Sequence, residues 1–409
     1  KSVNCWPNVN FDIGGINNIL RIFLHAGFYY KTFMWTKSFW YRIYEPFIRK
    51  AAGFGVVTHE HDKERYEHKY EYCDLLVTGS GPSGLASAYS AAKNGAKVIL
   101  AEDKPRFGGS LLTSEVTIGN QTGKEWADKI VTELKEMPNV VVKNRAQVFG
   151  YYDHNMLVMS ERISEHMPKT EKFMPKQKLW YIRAKEVVIS SGSIERPIVF
   201  GNNDTPGILL SSAAKEYMKV YGVLVGKKPL IFTNNDSAYE TAIEFKKNGI
   251  NPIVLDSRKE LNSDLITEAK NLGIDIKFEH VVVNANGYRK VKSADIAKIS
   301  EDKTNLGKIE NIACDCICVS GFWTPTIHLA SQSGGKTKFN EDIDAFIPSQ
   351  SKQNETTVGS ANGIFNLNDT LKNSFEAGYE LSKKITSKEN KLSVPAVVEK
   401  KNSKHDKFW

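Results

Sequence analysis

The residues best suited to chemistry lie in one short turn, the stretch VTGSGPSGLA at positions 77–86. Its glycines at 79, 81 and 84 have the GxGxxG spacing of a turn that binds a dinucleotide. Gly79 permits the tight turn, Gly81 lets the backbone approach a pyrophosphate, and Gly84 allows close contact between helix and strand. The stretch therefore predicts a cradle for a diphosphate at the start of a helix.

The elements around the turn have the order that such a cradle requires. An apolar strand at 74–77 precedes it, an alanine-rich helix at 83–94 follows it, and a second strand covers 98–100. Glu102 ends this second strand, where an acidic side chain can accept hydrogen bonds from the adenosine ribose hydroxyls. Because Glu102 would repel a 2′-phosphate, the pattern favours NAD or FAD over NADP.

Further segments resemble the fold of flavoproteins that bind two dinucleotides. These are the Gly-Gly turn within residues 103–112 and the small-residue strand end ISSGS at 189–193. Flavoproteins of this fold usually carry an aspartate where Ser360 follows Gly359, and a hydroxyl is a poorer partner for the ribityl chain. Ser360 therefore favours NAD in this cradle, with FAD as the alternative. The residues assigned to cofactor binding are Gly79, Gly81, Pro82, Ser83, Gly84, Glu102, Asp103, Gly109, Ser110, Val148, Gly192, Gly359 and Ser360.

A second βαβ unit is predicted at 205–315, inserted into the first at 71–204 and 316–388. Its turn, TNNDSAYE at 233–240, lacks glycine, and Asp236 near the helix start would oppose a phosphate. We therefore expect this unit to bind no nucleotide. The predicted fold class is α/β, a Rossmann-type, two-dinucleotide-binding flavoprotein-like fold with a degenerate βαβ domain inserted.

Composition bounds the remaining possibilities. The net charge of +8 owes much to lysines after position 380, so residues 389–409 are predicted to be a solvated linker rather than a nucleic-acid surface. The cysteines at 314, 316 and 318 would form a row on one strand face, which indicates buried thiols rather than a metal cage. No signal peptide, membrane helix, CxxC motif, catalytic residue or metal site is predicted.

Residues 1–70 are rich in aromatic side chains, which cluster between positions 28 and 47. Such a segment can pack on its own domain or form part of a subunit interface, where Tyr, Trp, Phe and Arg concentrate. The residues alone leave both possibilities open.

Several of these stretches together resemble the alpha subunit of heterotetrameric sarcosine oxidase. They are HAGFYYKTFMW at 25–35, YEPFIRKAAGFG at 44–55, the Cys73-Asp74 pair, the glycine turn and FGGSLL at 107–112. The resemblance covers residues 6–377 and implies a cytoplasmic complex that oxidises sarcosine to glycine, hydrogen peroxide and a formaldehyde-level carbon. It also implies NAD on this subunit, a beta subunit carrying FAD and the amine site, FMN at the interface, and gamma and delta subunits.

The chain departs from that family in what it lacks. It has neither the ferredoxin-like module that precedes the matching region nor the folate-binding, aminomethyltransferase-like domain that follows it, so we expect a fragment or a split subunit. Folate binding is not assigned. Two alternatives remain: a self-contained FAD-dependent NAD(P)H oxidoreductase and a non-catalytic scaffold.

Overall fold

A computed structural model describes the following residues of the chain: 5–8, 11–20, 22–23, 27–28, 33, 35–53, 57, 59–171, 173–401 and 403–407. Internal contacts divide the chain into residues 1–64 and residues 65–409. The predicted boundary at residue 70 therefore lies within the second unit, whose first strand already begins at Tyr66.

The first unit consists of short elements in its described residues. Phe33 and Tyr44 pack with ring centroids 5.1 Å apart, whereas Trp35 and Tyr41 are 79% and 81% exposed. The two hypotheses for this segment, a subunit interface and packing on its own domain, both stay predictions. Its elements are strands Pro7–Asn8 and Phe11–Asp12, a 3-10 turn Ile13–Gly15, helices Ile16–Leu20, Lys37–Phe39 and Glu45–Ala51, and a π-helix Trp40–Tyr44.

A seven-stranded mixed sheet forms the centre of the second unit. Strand Tyr66–Thr78 lies in the middle, parallel to Val98–Ala101 on one side and to Gln177–Ile189 on the other. The carboxyl ends of these strands consequently meet at one edge, which is where the predicted ligand residues stand. The other strands are Val140–Lys143, Ala146–Tyr152, Met156–Arg162 and Glu355–Thr357.

Three helices, Pro82–Lys93, Gly123–Glu136 and Leu367–Thr386, contribute to the largest hydrophobic core together with this sheet. Helix Gly123–Glu136 begins at a capping box, in which Thr122 and Glu125 bind each other's backbone N–H groups. Helix Leu367–Thr386 packs closely on Pro82–Lys93, because Ser87 and Ser90 donate hydrogen bonds to carbonyls of the longer helix. The sequence-predicted helices at 83–94, 124–137 and 370–385 match these three within a few residues.

The inserted unit contains a five-stranded parallel sheet. Its order is Ile208–Leu210, Cys316–Ser320, Pro229–Thr233, Ile253–Asp256 and Asp275–Phe278. The predicted boundary at 315 is therefore wrong, since strand Cys316–Ser320 pairs between two strands of the inserted unit. Helices Ser211–Tyr221, Ser237–Lys247 and Asp264–Asn271 pack on this sheet, and an antiparallel sheet follows it with strands His280–Asn286, Ser293–Ile299 and Leu306–Ala313.

The alternating cysteines are buried thiols, as the sequence indicated. Cys316 and Cys318 are fully buried on strand Cys316–Ser320 with their sulfur atoms 3.6 Å apart, and Cys314 is 3% exposed. Burial raises the pKa of Cys314 to about 12, so its reactive thiolate form is disfavoured at neutral pH. Among the described residues, no group of three or more His, Cys, Asp or Glu side chains is arranged to hold a metal ion.

The lysine-rich tail is not the solvated linker that its composition predicts. Leu392, Val394 and Val397 pack against the large core, and Val397–Val398 pairs as a strand with Thr117–Ile118. Farther along, the His405 ring stacks on Phe322 of the inserted unit. A few apolar contacts therefore fix a segment whose average composition is that of a linker.

The remaining elements are short: strands Gln121–Thr122, Ser193–Glu195, Trp323–Pro325, Lys336–Asn340 and Ala345–Gln350, helix His328–Gln332, and 3-10 turns Gly109–Leu112 and Gly359–Asn362. None of the helices in the described part of the chain has the length and apolar character needed to cross a membrane.

Candidate dinucleotide site

Two glycines of the turn are required by the fold itself. Gly79 has φ +101°, and a Cβ atom there would lie 2.4 Å from the Ser190 carbonyl oxygen. A Cβ on Gly84 would lie 1.9 Å from the Gly79 carbonyl oxygen. The turn can therefore form only because these two positions carry no side chain.

Gly81 is different, because the protein leaves open space beside it. Its backbone has the ordinary extended angles φ −64° and ψ −176°, and a Cβ there would meet no atom within 4 Å. Gly81 is the N-cap of helix Pro82–Lys93. Pro82, the first residue of this helix, has no N–H group that needs an acceptor. The amides of Ser83 and Gly84 belong to the first helical turn, which lacks intrahelical acceptors and so suits an anion.

Glu102 lies directly beside the turn. Its carboxylate accepts hydrogen bonds from the backbone N–H of Ser80 at 2.8 Å, the Ser80 hydroxyl at 2.6 Å and the Lys104 N–H at 2.9 Å. Burial, together with a hydrogen bond that protonated Glu102 donates to the Asp103 carboxylate, raises the pKa of Glu102 to about 7. The carboxyl group is thus held in place at the strand end and changes charge near neutral pH.

Two other chain segments complete the rim of this edge. A Cβ on Gly109 would lie 2.8 Å from the Gly81 Cα, and one on Gly359 would lie 2.7 Å from the Ser83 Cβ. Both glycines have positive φ, +53° and +65°. Ser360 follows Gly359 in the 3-10 turn Gly359–Asn362, so the structure brings this predicted residue to the helix start as well.

Ser190 has a structural role at the site, although it is not among the residues that the sequence assigns to cofactor binding. Its hydroxyl donates to the carbonyl oxygens of Thr78 at 2.8 Å and Gly79 at 3.0 Å, which fixes the turn against the neighbouring strand. The run of small residues at 189–193 was the signal that could have identified it. Gly192, two residues later, has φ +75° and accepts a hydrogen bond from the Thr326 N–H.

The other predicted residues occupy the periphery. Asp103 and Ser110 are exposed, immediately after Glu102 and Gly109. Val148 is half-buried in strand Ala146–Tyr152, whose first N–H binds the Glu102 carbonyl oxygen at 2.8 Å. These three positions therefore lie around the strand end, and their contact with a ligand stays a prediction.

The corresponding turn of the inserted unit is built differently. Asp236, the N-cap of helix Ser237–Lys247, forms a buried ion pair with Arg258 at 2.8 Å, and Arg258 also binds Asp256 at 2.7 Å. Burial alone would raise the pKa of Asp236, but Arg258 and hydrogen bonds from Ser403 hold it below its ordinary value. A fixed carboxylate at the helix start opposes phosphate binding, and the expectation that this unit binds no nucleotide stays a prediction.

This arrangement of sheet, turn and strand ends agrees with the comparison with known protein families. A family model described as pyridine nucleotide-disulphide oxidoreductase matches residues 73–359. The chain belongs to the pyridine nucleotide-disulphide oxidoreductase family. Membership of this family implies a flavin or nicotinamide dinucleotide as cofactor, and the predicted fold class is confirmed.

Curated relatives confirm the narrower resemblance. The chain is 39% identical over 363 residues to the sarcosine oxidase alpha subunit of Rhizobium meliloti (strain 1021), an alignment that covers 88% of this chain and 36% of that protein. It is 32% identical over 357 residues to the alpha subunit of Corynebacterium sp. (strain U-96), covering 84% and 36%. The chain thus spans about a third of the length of these relatives.

Solved structures of other oxidoreductases share the fold. L-proline dehydrogenase from P. horikoshii superposes with a TM-score of 0.58 at 20% sequence identity, over 80% of this chain and 58% of that chain. At this identity the similarity supports the architecture alone.

Proposed function

We propose that this chain is the dinucleotide-binding part of a sarcosine oxidase alpha subunit. It binds NAD on the Gly79–Gly84 turn and Glu102, and it docks to a beta subunit that carries FAD and the amine site. In this proposal FMN lies at the interface, gamma and delta subunits complete a cytoplasmic complex, and no residue of this chain acts on the amine.

The observation that carries the proposal is the contrast among the turn glycines. The packing of the protein explains why Gly79 and Gly84 have no side chain, but it does not explain Gly81, whose Cβ would meet nothing within 4 Å. A ligand lying against the backbone at this position supplies the missing reason. The sequence similarity to alpha subunits over 88% of the chain supports the choice of complex.

The residues of the turn would each hold a different part of the cofactor. The N–H groups of Ser83 and Gly84 would face the pyrophosphate, and the Glu102 carboxylate would accept from the adenosine ribose hydroxyls. A bound nicotinamide dinucleotide supplies a group that exchanges hydride. Ser360, in the position where flavoproteins of this fold carry an aspartate, supports NAD over FAD.

The proposal is tested by mass spectrometry of small molecules released on heating from the protein and its co-purified partners. We expect one NAD per chain, and FAD and FMN only when a second, flavin-bearing chain is present. A purified single chain that is yellow, releases FAD and turns over NAD(P)H would instead identify the self-contained oxidoreductase. A complex that forms while calorimetry detects no binding of NAD or FAD would identify the scaffold.

A further inference from the structure

The inserted unit has a crevice at the carboxyl edge of its parallel sheet, where open α/β sheets usually bind ligands. Three adjacent strand ends form it: Asn234 and Asp236 follow strand Pro229–Thr233, Arg258 follows Ile253–Asp256, and Phe322 follows Cys316–Ser320. Because the turn lacks glycine and carries the Asp236 carboxylate, the chemistry of this crevice does not suit a phosphate.

Residues 403–406 of the same chain lie in this crevice. The Ser403 N–H and hydroxyl donate to the two Asp236 carboxylate oxygens at 2.6 and 2.7 Å. The Arg258 guanidinium donates to the Ser403 hydroxyl at 3.0 Å and to the Lys404 carbonyl oxygen at 3.2 Å. Hydrogen bonds to charged groups are the stronger class, so this end of the segment is fixed firmly.

The other end of the segment is recognised by shape and by backbone pairing. The Asp406 N–H donates to the Asn234 carbonyl oxygen at 3.0 Å, and the Asn234 side-chain amide donates to the Asp406 carbonyl oxygen at 2.7 Å. Between these bonds, the His405 ring stacks on Phe322 with centroids 3.9 Å apart and planes 5° from parallel. Phe322 holds its ring there with φ +76°, an unusual backbone conformation for a bulky residue.

We propose that this crevice is a peptide-binding site and that its ligand is the chain's own segment Ser403–Asp406. The carboxylate that excludes a phosphate is the group that recognises a peptide N–H and a serine hydroxyl. Asn234 forms hydrogen bonds with the peptide backbone as a neighbouring strand would, and Phe322 favours a flat ring by stacking on it. The site takes a short segment of the type Ser-Lys-His-Asp.

The test uses the full chain with Ser403→Pro and His405→Ala, which removes the donors to Asp236 and the stacked ring but leaves the crevice unchanged. A fluorescent synthetic peptide of residues 401–409 is titrated into this variant and followed by anisotropy. We expect saturable binding of one peptide per chain. Binding to the parent protein should be at least about tenfold weaker, because its own segment competes at high effective concentration.

The control variant, Ser393→Pro with His166→Ala, makes the same changes at exposed positions and should behave like the parent. The peptide that carries Ser403→Pro and His405→Ala should bind the released variant about tenfold more weakly than the native peptide. Hydrogen exchange of the parent provides a second measurement, in which the Ser403 and Asp406 amides should be protected.

The proposal would be contradicted if the parent and the variant bound the peptide equally well. It would also be contradicted if the variant bound no peptide although its unfolding temperature equalled that of the parent. Free exchange of the Ser403 and Asp406 amides in the parent would contradict it as well. Binding of two NAD per chain by the variant with Ser403→Pro and His405→Ala would also overturn the proposal. The segment would then be a cover over a second nucleotide site.

Discussion

A Cβ atom at position 81 would lie in open space, so we expect a larger side chain there to collide with a ligand rather than with the protein. We predict that Gly81→Val abolishes NAD retention while the midpoint of thermal unfolding falls by at most about 4 °C, because valine is a poorer N-cap than glycine by about 1 kcal/mol. Calorimetry with NAD and a thermal melt measure both quantities. Ala313→Val, which places a valine side chain on an exposed strand, is the control. A Gly81→Val protein that binds NAD as the parent does would show that the site is misplaced.

The raised pKa of Glu102, about 7, predicts the direction in which NAD affinity changes with pH. Ribose hydroxyls donate to the ionised carboxylate, so NAD binding favours ionisation and affinity should rise with pH. Between about pH 6 and about pH 8 the increase should approach tenfold, since the ionised fraction changes by about that factor.

The variant Glu102→Gln should bind NAD more weakly, lose this pH dependence and discriminate less against NADP. Isothermal titration at several pH values measures all three effects, and the exposed Glu310→Gln serves as control. A pH dependence that persists in Glu102→Gln would assign the titration to another group.

At the scale of single residues, the sequence predicts contacts between residues that are close together in the chain. The roles of Gly79 and Gly84 follow from spacing within one turn, and the structure bears out their close contacts. Ser190 and Gly359 reach the same turn from strand ends more than a hundred residues away. The run of small residues at 189–193 and the glycine at 359 indicate nearness to a cofactor, but they do not show which distant backbone Ser190 or Gly359 will contact.

At the scale of elements, prediction succeeded where the apolar pattern is continuous. The buried half of strand Tyr66–Thr78 is an apolar run that predicts a strand, whereas its exposed half alternates aromatic with charged residues and gives no such prediction. The prediction of a solvated linker at 389–409 is wrong for a different reason. Its lysines dominate the average composition, but Val397 and His405 decide where it packs.

The contact between helices Pro82–Lys93 and Leu367–Thr386 can be tested at Gly378. Alanine normally stabilises a helix interior relative to glycine by about 0.5–1 kcal/mol. Here a Cβ would lie 2.3 Å from the Ser87 carbonyl oxygen, so we predict that Gly378→Ala lowers the free energy of unfolding by about 1–3 kcal/mol. Urea denaturation measures it, with Lys372→Ala on the exposed face of the same helix as control. A stabilised Gly378→Ala protein would show that the two helices lie farther apart.

At the scale of the whole molecule, Glu115 joins the domain that contains the Gly79–Gly84 turn to the inserted unit. It follows the loop that carries Gly109, and its carboxylate binds Lys247 at 2.6 Å and Lys219 at 3.3 Å, which lie on two helices of the inserted unit. Burial would raise the pKa of Glu115, but these lysines lower it to about 2. The tail enters the same cluster through Lys400, 3.8 Å from Glu115. These contacts oppose rotation of one unit on the other.

Because the folded-state pKa of Glu115 is depressed, its stabilisation is present above the ordinary value of 4.5 and is lost as the pH falls toward about 2. We predict that Glu115→Gln lowers the free energy of unfolding near neutral pH by at most about 1 kcal/mol, since the partly exposed carboxylate is screened by water and salt. The deficit should shrink steadily in urea titrations at successively lower pH and increase in low salt. Glu310→Gln, exposed on a strand of the inserted unit, should show neither trend. A deficit in Glu115→Gln that is independent of pH and salt would mean that the side chain acts by packing, and the two units would then be joined by other contacts.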